Sequence, residues 1–570
     1  MAISRRDLLI GTVGVAAVGC TSTSDRDAAA PTSGEPPPDI ASTSEVPAPE
    51  TSTSETIAAP QATTTPVDAP AYVGDPPFAL GIASGDPDAS SVVLWTRLIT
   101  SHDTAAPAAD DDLRVAVDVA IDEEFDELIS STLETAPRDH GHSVHALAEG
   151  LPADTWFHYR FRIGAHTSPT GRMRTLPSNT SQGADTSPLR FGFSSCQNWE
   201  SGAYAAHRRL ADEDLDLFVW LGDYIYESGP GNNGDVTSTG QRVHNSPEVT
   251  TLDGYRQRYA LYKSDEHLQS HHAARPWLVT WDDHEVDNNH ATNSTEDGQD
   301  IAAFAARRAA AYQAWWEHMP VRIAPPVAGE DFVIYRSIEW GNLAHIHMLD
   351  GRQYRSPQPT DGAPVVLPGI GDIGVRELSD TARDPSNSML GPTQLQWLET
   401  QVNNSSATWN ALGNQVYMHG LNAFPSETVS INTDSWDGYF GEREALLNEI
   451  GGSDANLIVL SGDFHASTAA DLRTNPFDST GDIVATEFMA PAISSTFPAS
   501  LRGLAPLVIG INPQVRNFSP ENGYMTCEVT PQLWTTRLHV LENVTDESSG
   551  VVTAATFTVD AGRAGVSSIS

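Results

Sequence analysis

Three apolar, strand-like segments of this chain end abruptly in acidic residues. The first covers residues 218–221 and is followed by a Gly-Asp pair that ends at Asp223, with Tyr226 three residues beyond the aspartate. The other two end in residues 281–285 and 461–465. In open α/β sheets the carboxyl ends of the strands meet at one edge, where ligands bind. Carboxylate and phenolate oxygens are hard donors that suit a highly charged metal ion, so the pattern predicts a metal site at such an edge.

The donors at these strand ends are numerous enough for two metals rather than one. They are Asp223, Tyr226, Asp282, Asp283, His284, Asp463 and His465, and Cys196 ends an earlier strand-like segment. A two-metal hydrolase needs a bridging carboxylate, further donors on each metal, and open positions for water and substrate. A metal pair lowers the pKa of bound water and neutralises charge on an oxyanion, which indicates phosphoester hydrolysis.

Each of these residues also has a simpler interpretation. A Gly-Asp pair after a strand is often a turn in which the aspartate caps its own backbone. His284 can be a hydrogen-bonding residue behind the ligands, a helix cap, or a base near the substrate. Cys196 can be a small buried core thiol. His465 would share the face of Asp463 if the strand continued, and His419, which also ends an apolar segment, is a further candidate ligand.

The chain is strongly acidic. It has 75 acidic and 32 basic residues, a formal net charge of −43, and Lys263 as its single lysine. Such a surface argues against nucleic acid or an anionic membrane as the partner, and it suits an exterior rich in salt or calcium. The three cysteines exclude a disulfide-rich scaffold. We expect a monomer whose partner is a small phosphate-ester substrate.

Residues 1–20 have the features of an export signal. Ser4-Arg-Arg-Asp-Leu-Leu9 is a twin-arginine pattern, and the apolar run over residues 8–18 is too short to span a membrane. Cys20 follows Ala17-Val-Gly and is a candidate for acylation, which would give a lipid anchor. The pattern predicts export by the twin-arginine pathway, which gives a cell-surface lipoprotein or a secreted or periplasmic protein.

The rest of the chain divides into three parts. Residues 21–72 are rich in Ser, Thr, Pro and Ala, which predicts a disordered linker. Residues 76–178 contain short alternating strands, which predict a fibronectin- or immunoglobulin-like β-sandwich that serves packing or binding. Residues 187–568 alternate strands with helices, which predicts an α/β catalytic domain. Its helices are predicted at residues 201–213, 252–270 and 300–319, and its strands at residues 190–196, 216–222, 276–281, 333–337, 343–349, 409–418 and 456–461.

Several motifs together resemble the PhoD-like family of secreted alkaline phosphatases and phosphodiesterases, within the calcineurin-like metallophosphoesterases. The similar segments are Phe78-Ala-Leu-Gly-Ile-Ala-Ser-Gly-Asp-Pro87, Val93-Leu-Trp-Thr-Arg-Leu98, Ser194-Ser-Cys-Gln197, Leu221-Gly-Asp-Tyr-Ile-Tyr-Glu227, Trp281-Asp-Asp-His-Glu-Val-Asp-Asn-Asn289, Leu349-Asp-Gly-Arg-Gln-Tyr-Arg355 and Ser461-Gly-Asp-Phe-His465. The Trp-Asp-Asp-His-Glu block is highly specific. The resemblance implies a four-layer αββα fold preceded by an all-β domain, and a centre of Fe³⁺ and Ca²⁺.

The resemblance also implies a role for each donor. Asp223 would bridge the metals, and the iron ligands would be Cys196, Tyr226 and His465. The calcium ligands would be Asp283 and Asp463, with Asn289 as a further candidate. Thiolate, phenolate and imidazole suit ferric iron, whereas carboxylate oxygens suit calcium.

Arg352 is a candidate clamp on the substrate phosphate through its forked guanidinium. An ion pair with Asp350 is the alternative. The chain departs from the family pattern at Gly351, where Thr or Ser is common, and at His419, which the pattern does not require.

These observations predict an exported phosphoric ester hydrolase of the alkaline phosphatase type. It would cleave phosphate monoesters, with diesters as a second class, by means of a metal-activated hydroxide. The catalytic residues would be Asp223, His284 and Arg352. The alternatives are a phospholipase D-like phosphodiesterase acting on lipid head groups and a catalytically dead, calcium-dependent surface binding protein. The intact donor set argues against the binding protein.

Overall fold

The computed structural model describes residues 65–103, 105, 108–179, 187–231, 241–295, 298–327, 329–367, 371–425, 428–452, 454–503 and 505–570. The predicted signal segment, and all of the predicted linker except residues 65–72, lie outside the described residues. Within the described part of the chain, no helix is both long enough and apolar enough to cross a membrane.

The described residues form 25 strands and nine α-helices, numbered here in chain order. The strands are β1 (Ile82–Gly85), β2 (Val92–Arg97), β3 (Leu113–Ala120), β4 (Leu128–Ala136), β5 (Ser143–Ala148), β6 (Trp156–Ile163), β7 (His166–Thr167), β8 (Gly171–Arg174), β9 (Leu189–Ser194), β10 (Leu217–Leu221), β11 (Pro276–Thr280), β12 (Arg336–Trp340), β13 (Ala344–Met348), β14 (Pro364–Leu367), β15 (Gly371–Glu377), β16 (Trp409–Gly413), β17 (Ser430–Asn432), β18 (Leu457–Ser461), β19 (Ser467–Arg473), β20 (Ile483–Met489), β21 (Val515–Ser519), β22 (Gly523–Val529), β23 (Leu533–Leu541), β24 (Val551–Asp560) and β25 (Ser568–Ile569). The α-helices are α1 (Ala205–Asp212), α2 (Leu252–Tyr262), α3 (Glu266–Ala274), α4 (Ile301–His318), α5 (Asp380–Arg383), α6 (Gly391–Asn403), α7 (Phe440–Ile450), α8 (Ala499–Arg502) and α9 (Ala505–Ile511). Arg138–His140 and Trp436–Tyr439 are 3₁₀ helices.

Two large sheets position the strand ends that the sequence singles out. The ten-stranded sheet has the order β25-β24-β23-β22-β9-β10-β11-β1-β2-β5, and the seven-stranded sheet has the order β12-β13-β16-β18-β20-β19-β21. In the first sheet β9, β10 and β11 are parallel neighbours. In the second sheet β13, β16, β18 and β20 are parallel neighbours. Their apolar runs are buried, as expected for parallel strands that are covered on both faces.

The two sheets pack face to face, and helices cover the outer face of each. Phe193 of the ten-stranded sheet and Phe488 of the seven-stranded sheet belong to one buried apolar cluster between the sheets. Helices α1 to α4 pack against Trp220 and Trp277 on the outer face of the ten-stranded sheet. Helices α6 and α7 pack against Leu412 on the outer face of the seven-stranded sheet. The layers therefore run helix, sheet, sheet, helix, in the order that the resemblance implied.

The region predicted as a separate β-sandwich shares a sheet with the α/β part. Strands β3, β4, β6, β7 and β8 form a sheet of their own, and their buried face packs against Val92 and Leu94 of β2. However, β1 pairs in parallel with β11, so β1, β2 and β5 extend the ten-stranded sheet. The described residues of this region form strands β1 to β8 and the 3₁₀ helix Arg138–His140, and a separate all-β domain with the predicted bounds stays a prediction.

The structure corrects three of the predicted elements. The strand predicted at residues 333–337 lies at Arg336–Trp340. Residues 252–270 form two helices instead of one, because Asp265 caps the second by accepting hydrogen bonds from the backbone N–H groups of His267 and Leu268, each at 2.9 Å. The strand predicted at residues 409–418 ends at Gly413. Beyond it Gln415 donates hydrogen bonds to Thr280 Oγ1 and Leu349 O, so the chain there serves as a turn between layers.

The two-sheet core makes a test of packing straightforward. Leu460 is fully buried between the sheets, whereas Leu147, also on a strand, is 44 % exposed. We expect Leu460→Ala to lower the free energy of unfolding by about 2–5 kcal/mol, because it leaves a cavity between the layers. Leu147→Ala should change it by about 0.5 kcal/mol or less. Urea denaturation of both variants checks this, and equal losses would contradict the assigned core.

Candidate metal centre

The candidate donors lie on turns that directly follow four strands. Cys196, Asp223 and Asp283 follow the parallel neighbours β9, β10 and β11, and the Asp463–His465 turn follows β18 of the other sheet. The two sheets approach closely here, since a Cβ atom at Gly462 would collide with the Ser195 side chain. The site therefore lies where the carboxyl ends of both sheets meet, which is the edge that the sequence predicted.

Five of the twelve described non-glycine residues with left-handed backbone conformations are candidate ligands. Left-handed φ values occur at Cys196 (57°), Asp223 (57°), Asn289 (53°), Asp463 (65°) and His465 (54°). Residues other than glycine adopt this region rarely and at an energetic cost. Strain of this kind persists where the surrounding structure imposes it, commonly at functional sites. Five candidate ligands in this conformation therefore support a functional role for the cluster.

The side chains of these turns converge on three overlapping groups of donors. In each group one donor atom per residue lies within 4.8 Å of the others, and the groups are Cys196–Asp223–His465, Asp223–Asp283–His284 and Asp282–Asp283–Asp463. Asp223 and Asp283 each belong to two groups, and Asp223 is the one shared with the group that contains the thiol, which is the position expected of a carboxylate that bridges two different metals. Tyr226 joins the first group, because its hydroxyl lies 2.9 Å from Asp223 Oδ2 and 3.1 Å from His465 Nε2.

The arrangement fits bound cations. Asp223 Oδ1 and Asp282 Oδ2 are buried and lack hydrogen-bond partners among the described residues, which is costly unless a ligand satisfies them. Burial raises the pKa of Asp223 and of Asp463 well above the ordinary range, and the neighbouring carboxylates raise it further. Burial also raises the pKa of the Cys196 thiol. A cation in the cluster would stabilise the charged form of all three groups.

The donors fall into two halves of different chemistry. The first half, Cys196, Tyr226 and His465, offers sulfur, phenolic oxygen and imidazole nitrogen around Asp223. Burial lowers the pKa of His465 to about 3, so that its ring is neutral and able to bind a metal at ordinary pH. The second half, Asp282, Asp283 and Asp463, offers only carboxylate oxygens. The first half suits a transition metal and the second half a hard cation such as calcium.

His284 lies between this cluster and Glu227. Its Nδ1 is 2.7 Å from Glu227 Oε2, and its ring packs on the Tyr226 ring at 4.1 Å between centroids. Burial opposes the charged ring, but Glu227, Asp283 and Asp223 raise the pKa of His284 well above its ordinary value. A carboxylate on Nδ1 fixes the ring and leaves Nε2 for the cluster or for a substrate.

Asn289 lies beside the carboxylate half. Its backbone N–H donates to Asp283 Oδ2 at 2.7 Å, and its backbone oxygen accepts from Arg355 Nη2 at 3.2 Å. The sequence-predicted ligand is therefore placed against the cluster. Its role as a ligand stays a prediction.

The Arg352 guanidinium forms ion pairs with carboxylates of the protein. Its side chain is fully buried, and Nε donates to Asp282, while Nη1 and Nη2 lie 3.0 and 2.9 Å from the two oxygens of Asp434. The alternative ion pair with Asp350 is wrong, because the guanidinium pairs with Asp282 and Asp434 instead. Asp350 Oδ1 accepts a hydrogen bond from the backbone N–H of Arg352. The phosphate clamp stays a prediction, but this packing does not favour it.

His419 lies outside the three donor groups. It is fully buried, and its Nδ1 is 2.8 Å from Glu487 Oε2. Glu487 also accepts hydrogen bonds from the backbone N–H of Met418 and from Ser461 Oγ. The structure therefore places His419 in a separate buried network, outside the three donor groups of the described residues.

Sequence reasoning missed several residues that orient the donors. Glu285 accepts hydrogen bonds from the backbone N–H groups of Asp223, Tyr224 and Asp282, so it joins two of the turns. Ser495 Oγ donates to the Tyr226 hydroxyl at 2.7 Å. The sequence does contain a signal for Glu285, because this residue is the last of the specific Trp-Asp-Asp-His-Glu motif. Ser495 carries no signal in the sequence, because its partner is 269 residues away.

The titration of Asp282 predicts how metal affinity depends on pH. Burial raises the pKa of Asp282, and Arg352 offsets this only in part, so that the pKa lies at about 7. As the pH rises through this value the Asp282 carboxyl loses its proton, and the proton no longer competes with the metal for the carboxylate. We expect the affinity of metal-free protein for calcium to rise with pH and to bend near pH 7. Chelator-competition titrations of the wild type and of Asp282→Asn check this, and a bend that persists in the variant would contradict it.

Comparisons with known proteins agree with this geometry. The family model described as PhoD-like phosphatase matches residues 191–538, and the model for the N-terminal domain of PhoD-like phosphatases matches residues 62–177. The chain is 40 % identical over 497 residues to alkaline phosphatase D of Bacillus subtilis (strain 168), covering 87 % of this chain and 82 % of that protein. A solved structure of PhoD superposes with a TM-score of 0.80 at 38 % identity, over 87 % of this chain and 92 % of that one. On the strength of these matches, the chain belongs to the PhoD-like phosphatase family.

Proposed function

We propose that this protein is an exported, metal-dependent alkaline phosphatase that hydrolyses phosphate monoesters and also accepts diesters. The observation that carries the proposal is the convergence of Cys196, Asp223, Asp283, Asp463 and His465 at one sheet edge, with buried carboxylate oxygens that have no hydrogen-bond partner in the described part of the chain. Membership of the family and the relative named alkaline phosphatase D support it. Export through the twin-arginine pathway and acylation of Cys20 are parts of the proposal that fall outside the described residues.

The donor chemistry supports an iron and calcium pair. Cys196, Tyr226, His465 and the shared Asp223 would bind ferric iron, and Asp283, Asp463 and Asn289 would bind calcium with the same shared carboxylate. When bound, such metals supply an acidified water and neutralise charge that develops on the phosphoryl oxygens. Two close metals of this kind would also attract an anionic ester into an otherwise acidic protein.

The residues around the metal ligands have separate tasks in this proposal. Glu285 fixes the turns that carry Asp223 and Asp282 through their backbone N–H groups. Glu227 orients the His284 ring and favours its protonated form. His284 would then donate a proton from Nε2 to the departing oxygen of the ester, which is general-acid catalysis.

Hydrolysis of lipid or other bulky diesters is the second candidate. Phe464 lies between the candidate ligands Asp463 and His465, and its ring packs 5.9 Å from that of Phe497, which in turn lies 5.6 Å from Phe518. An aromatic row beside the cluster suits the organic part of an ester. The inactive binding protein has no such observation in its favour.

The central test is hydrolysis of 4-nitrophenyl phosphate and bis(4-nitrophenyl) phosphate by purified protein. We expect activity that disappears on chelation and falls by at least about 10²–10³-fold in Asp223→Ala, because the shared ligand is lost. Asp214→Ala is the matched control, since its side chain is 96 % exposed. Activity that survives both chelation and the Asp223 variant would refute the proposal, and the ratio of the two substrates decides between monoesterase and diesterase.

His284 gives an independent prediction. His284→Asn should lower kcat by about 10²–10⁴-fold with metal content unchanged, because a general acid is lost. Glu227→Gln removes the charge that raises the His284 pKa, so the alkaline limb of the pH–rate profile should move to lower pH. Elemental analysis accompanies both measurements. Loss of metal in His284→Asn would instead identify His284 as a ligand.

A further inference from the structure

Asp434 stands out among the residues around the cluster, because one carboxylate accepts hydrogen bonds from three side chains of a distant segment, residues 352–358. It lies between β17 and the following 3₁₀ helix and is 1 % exposed. Its oxygens accept hydrogen bonds from Arg352, from Arg355 Nη2 at 2.5 Å and from Gln358 Nε2 at 2.6 Å. These donors are 76 to 82 residues away in sequence, so the contacts exist only in the folded protein.

The first arm of this arrangement leads through Arg352 to the carboxylate half of the centre. Asp434 accepts from both terminal nitrogens of Arg352. This fork turns Nε toward Asp282 and leaves Nη2 3.4 Å from Asp283 Oδ1. Because the guanidinium is planar, the fork on Asp434 determines where the rest of the group lies.

The second arm leads to the Asn289 turn. Arg355 Nη2 and Gln358 Nε2, which both contact Asp434, also donate to the backbone oxygen of Asn289, at 3.2 and 3.3 Å. The backbone N–H of Asn289 in turn donates to Asp283 Oδ2. Asp283 therefore has Arg352, a direct partner of Asp434, 3.4 Å from Oδ1, while its Oδ2 accepts from the Asn289 turn that two other partners of Asp434 hold.

We infer that Asp434 is the positioning residue for the carboxylate half of the metal centre, and that Arg352 acts on Asp282 and Asp283 rather than on the substrate phosphate. Three carboxylates crowd this half, and the buried Arg352 guanidinium contacts Oδ1 of Asp282 and Oδ1 of Asp283, which reduces their repulsion and leaves Asp282 Oδ2 without a hydrogen-bond partner among the described residues. Among the described residues no hydrogen bond or ion pair links Asp434 to Cys196, Tyr226 or His465, so we expect its effect in the carboxylate half of the centre. The inference rests on the proposed function only in that the cluster binds metal.

The decisive experiment measures metals in Asp434→Asn, which keeps the shape of the side chain and removes its charge. We expect calcium affinity to fall about 10- to 100-fold, as for other residues that orient ligands, while iron content stays at the wild-type level. Equilibrium dialysis against calcium chloride and elemental analysis give the two values. Asp437→Asn is the matched control, because Asp437 is as buried and only three residues away, yet it accepts from the backbone N–H of Leu421 and does not contact Arg352.

A second variant, Gln358→Ala, tests the same inference if Asp434→Asn does not fold. Gln358 is only half-buried, and its loss removes one donor from Asp434 and one from the Asn289 turn. We expect the same selective fall in calcium affinity, with a smaller amplitude. Equal loss of iron and calcium in the two variants, or no loss in either, would overturn the inference.

Kinetics separate a positioning role from a phosphate clamp. With calcium at saturation, Arg352→Lys should show the wild-type KM for 4-nitrophenyl phosphate, and its defect should lie in calcium affinity. A KM raised tenfold or more at unchanged metal content would assign Arg352 to the substrate and overturn the inference. The metal measurements do not depend on turnover, so a wild-type protein without phosphatase activity would refute the proposed function and leave this inference standing.

Discussion

The constraint on which the site depends is the burial of several carboxylates at the junction of two sheets. Asp223, Asp282 and Asp283 are at most 2 % exposed, and Asp463 lies beside them. Isolated carboxylates are very costly to bury, so each needs a cation, a hydrogen-bond donor or a proton. The surrounding structure supplies part of this compensation, and the rest is what bound metals would provide.

The protein offsets the cost of burying carboxylates by different means in the two halves of the cluster. Arg352 brings a fixed positive charge to Asp282 and Asp283. Around Asp223 the compensation comes from the His284 ring, whose pKa the neighbouring carboxylates raise well above its ordinary value, and from the Tyr226 hydroxyl, while Glu285 fixes the adjoining backbone. The donors also differ: one half offers only carboxylate oxygens and the other offers sulfur, nitrogen and oxygen, and such sets suit a hard cation and a transition metal respectively.

The amino-terminal strands contribute to the same architecture. Lys263, the single lysine of the chain, is 1 % exposed and lies 4.4 Å from the Trp95 ring of β2 and 5.0 Å from the Tyr224 ring, next to Asp223. Burial lowers its pKa well below the ordinary value. An arginine could not lose its proton there, which gives a physical reason for a lysine in a chain that otherwise uses arginine. Together with the pairing of β1 and β11, this contact ties the amino-terminal strands to the turn that carries Asp223.

The sequence by itself determined which turns would carry the donors, because apolar runs that end in Gly-Asp or Asp-Asp mark the carboxyl ends of buried strands, and parallel strands end at one edge. It also determined the alternation of strands and helices. An exception is the predicted helix over residues 252–270, which is split in two because Asp265 caps the start of a second helix. Only the tertiary structure decided the partners: Asp434 rather than Asp350 for the Arg352 guanidinium, Glu487 for His419, Ser495 for Tyr226. The physical reason is that a strand end is a local property of a few residues, whereas these hydrogen bonds join segments between 68 and 269 residues apart, and their geometry is set by how the two sheets pack.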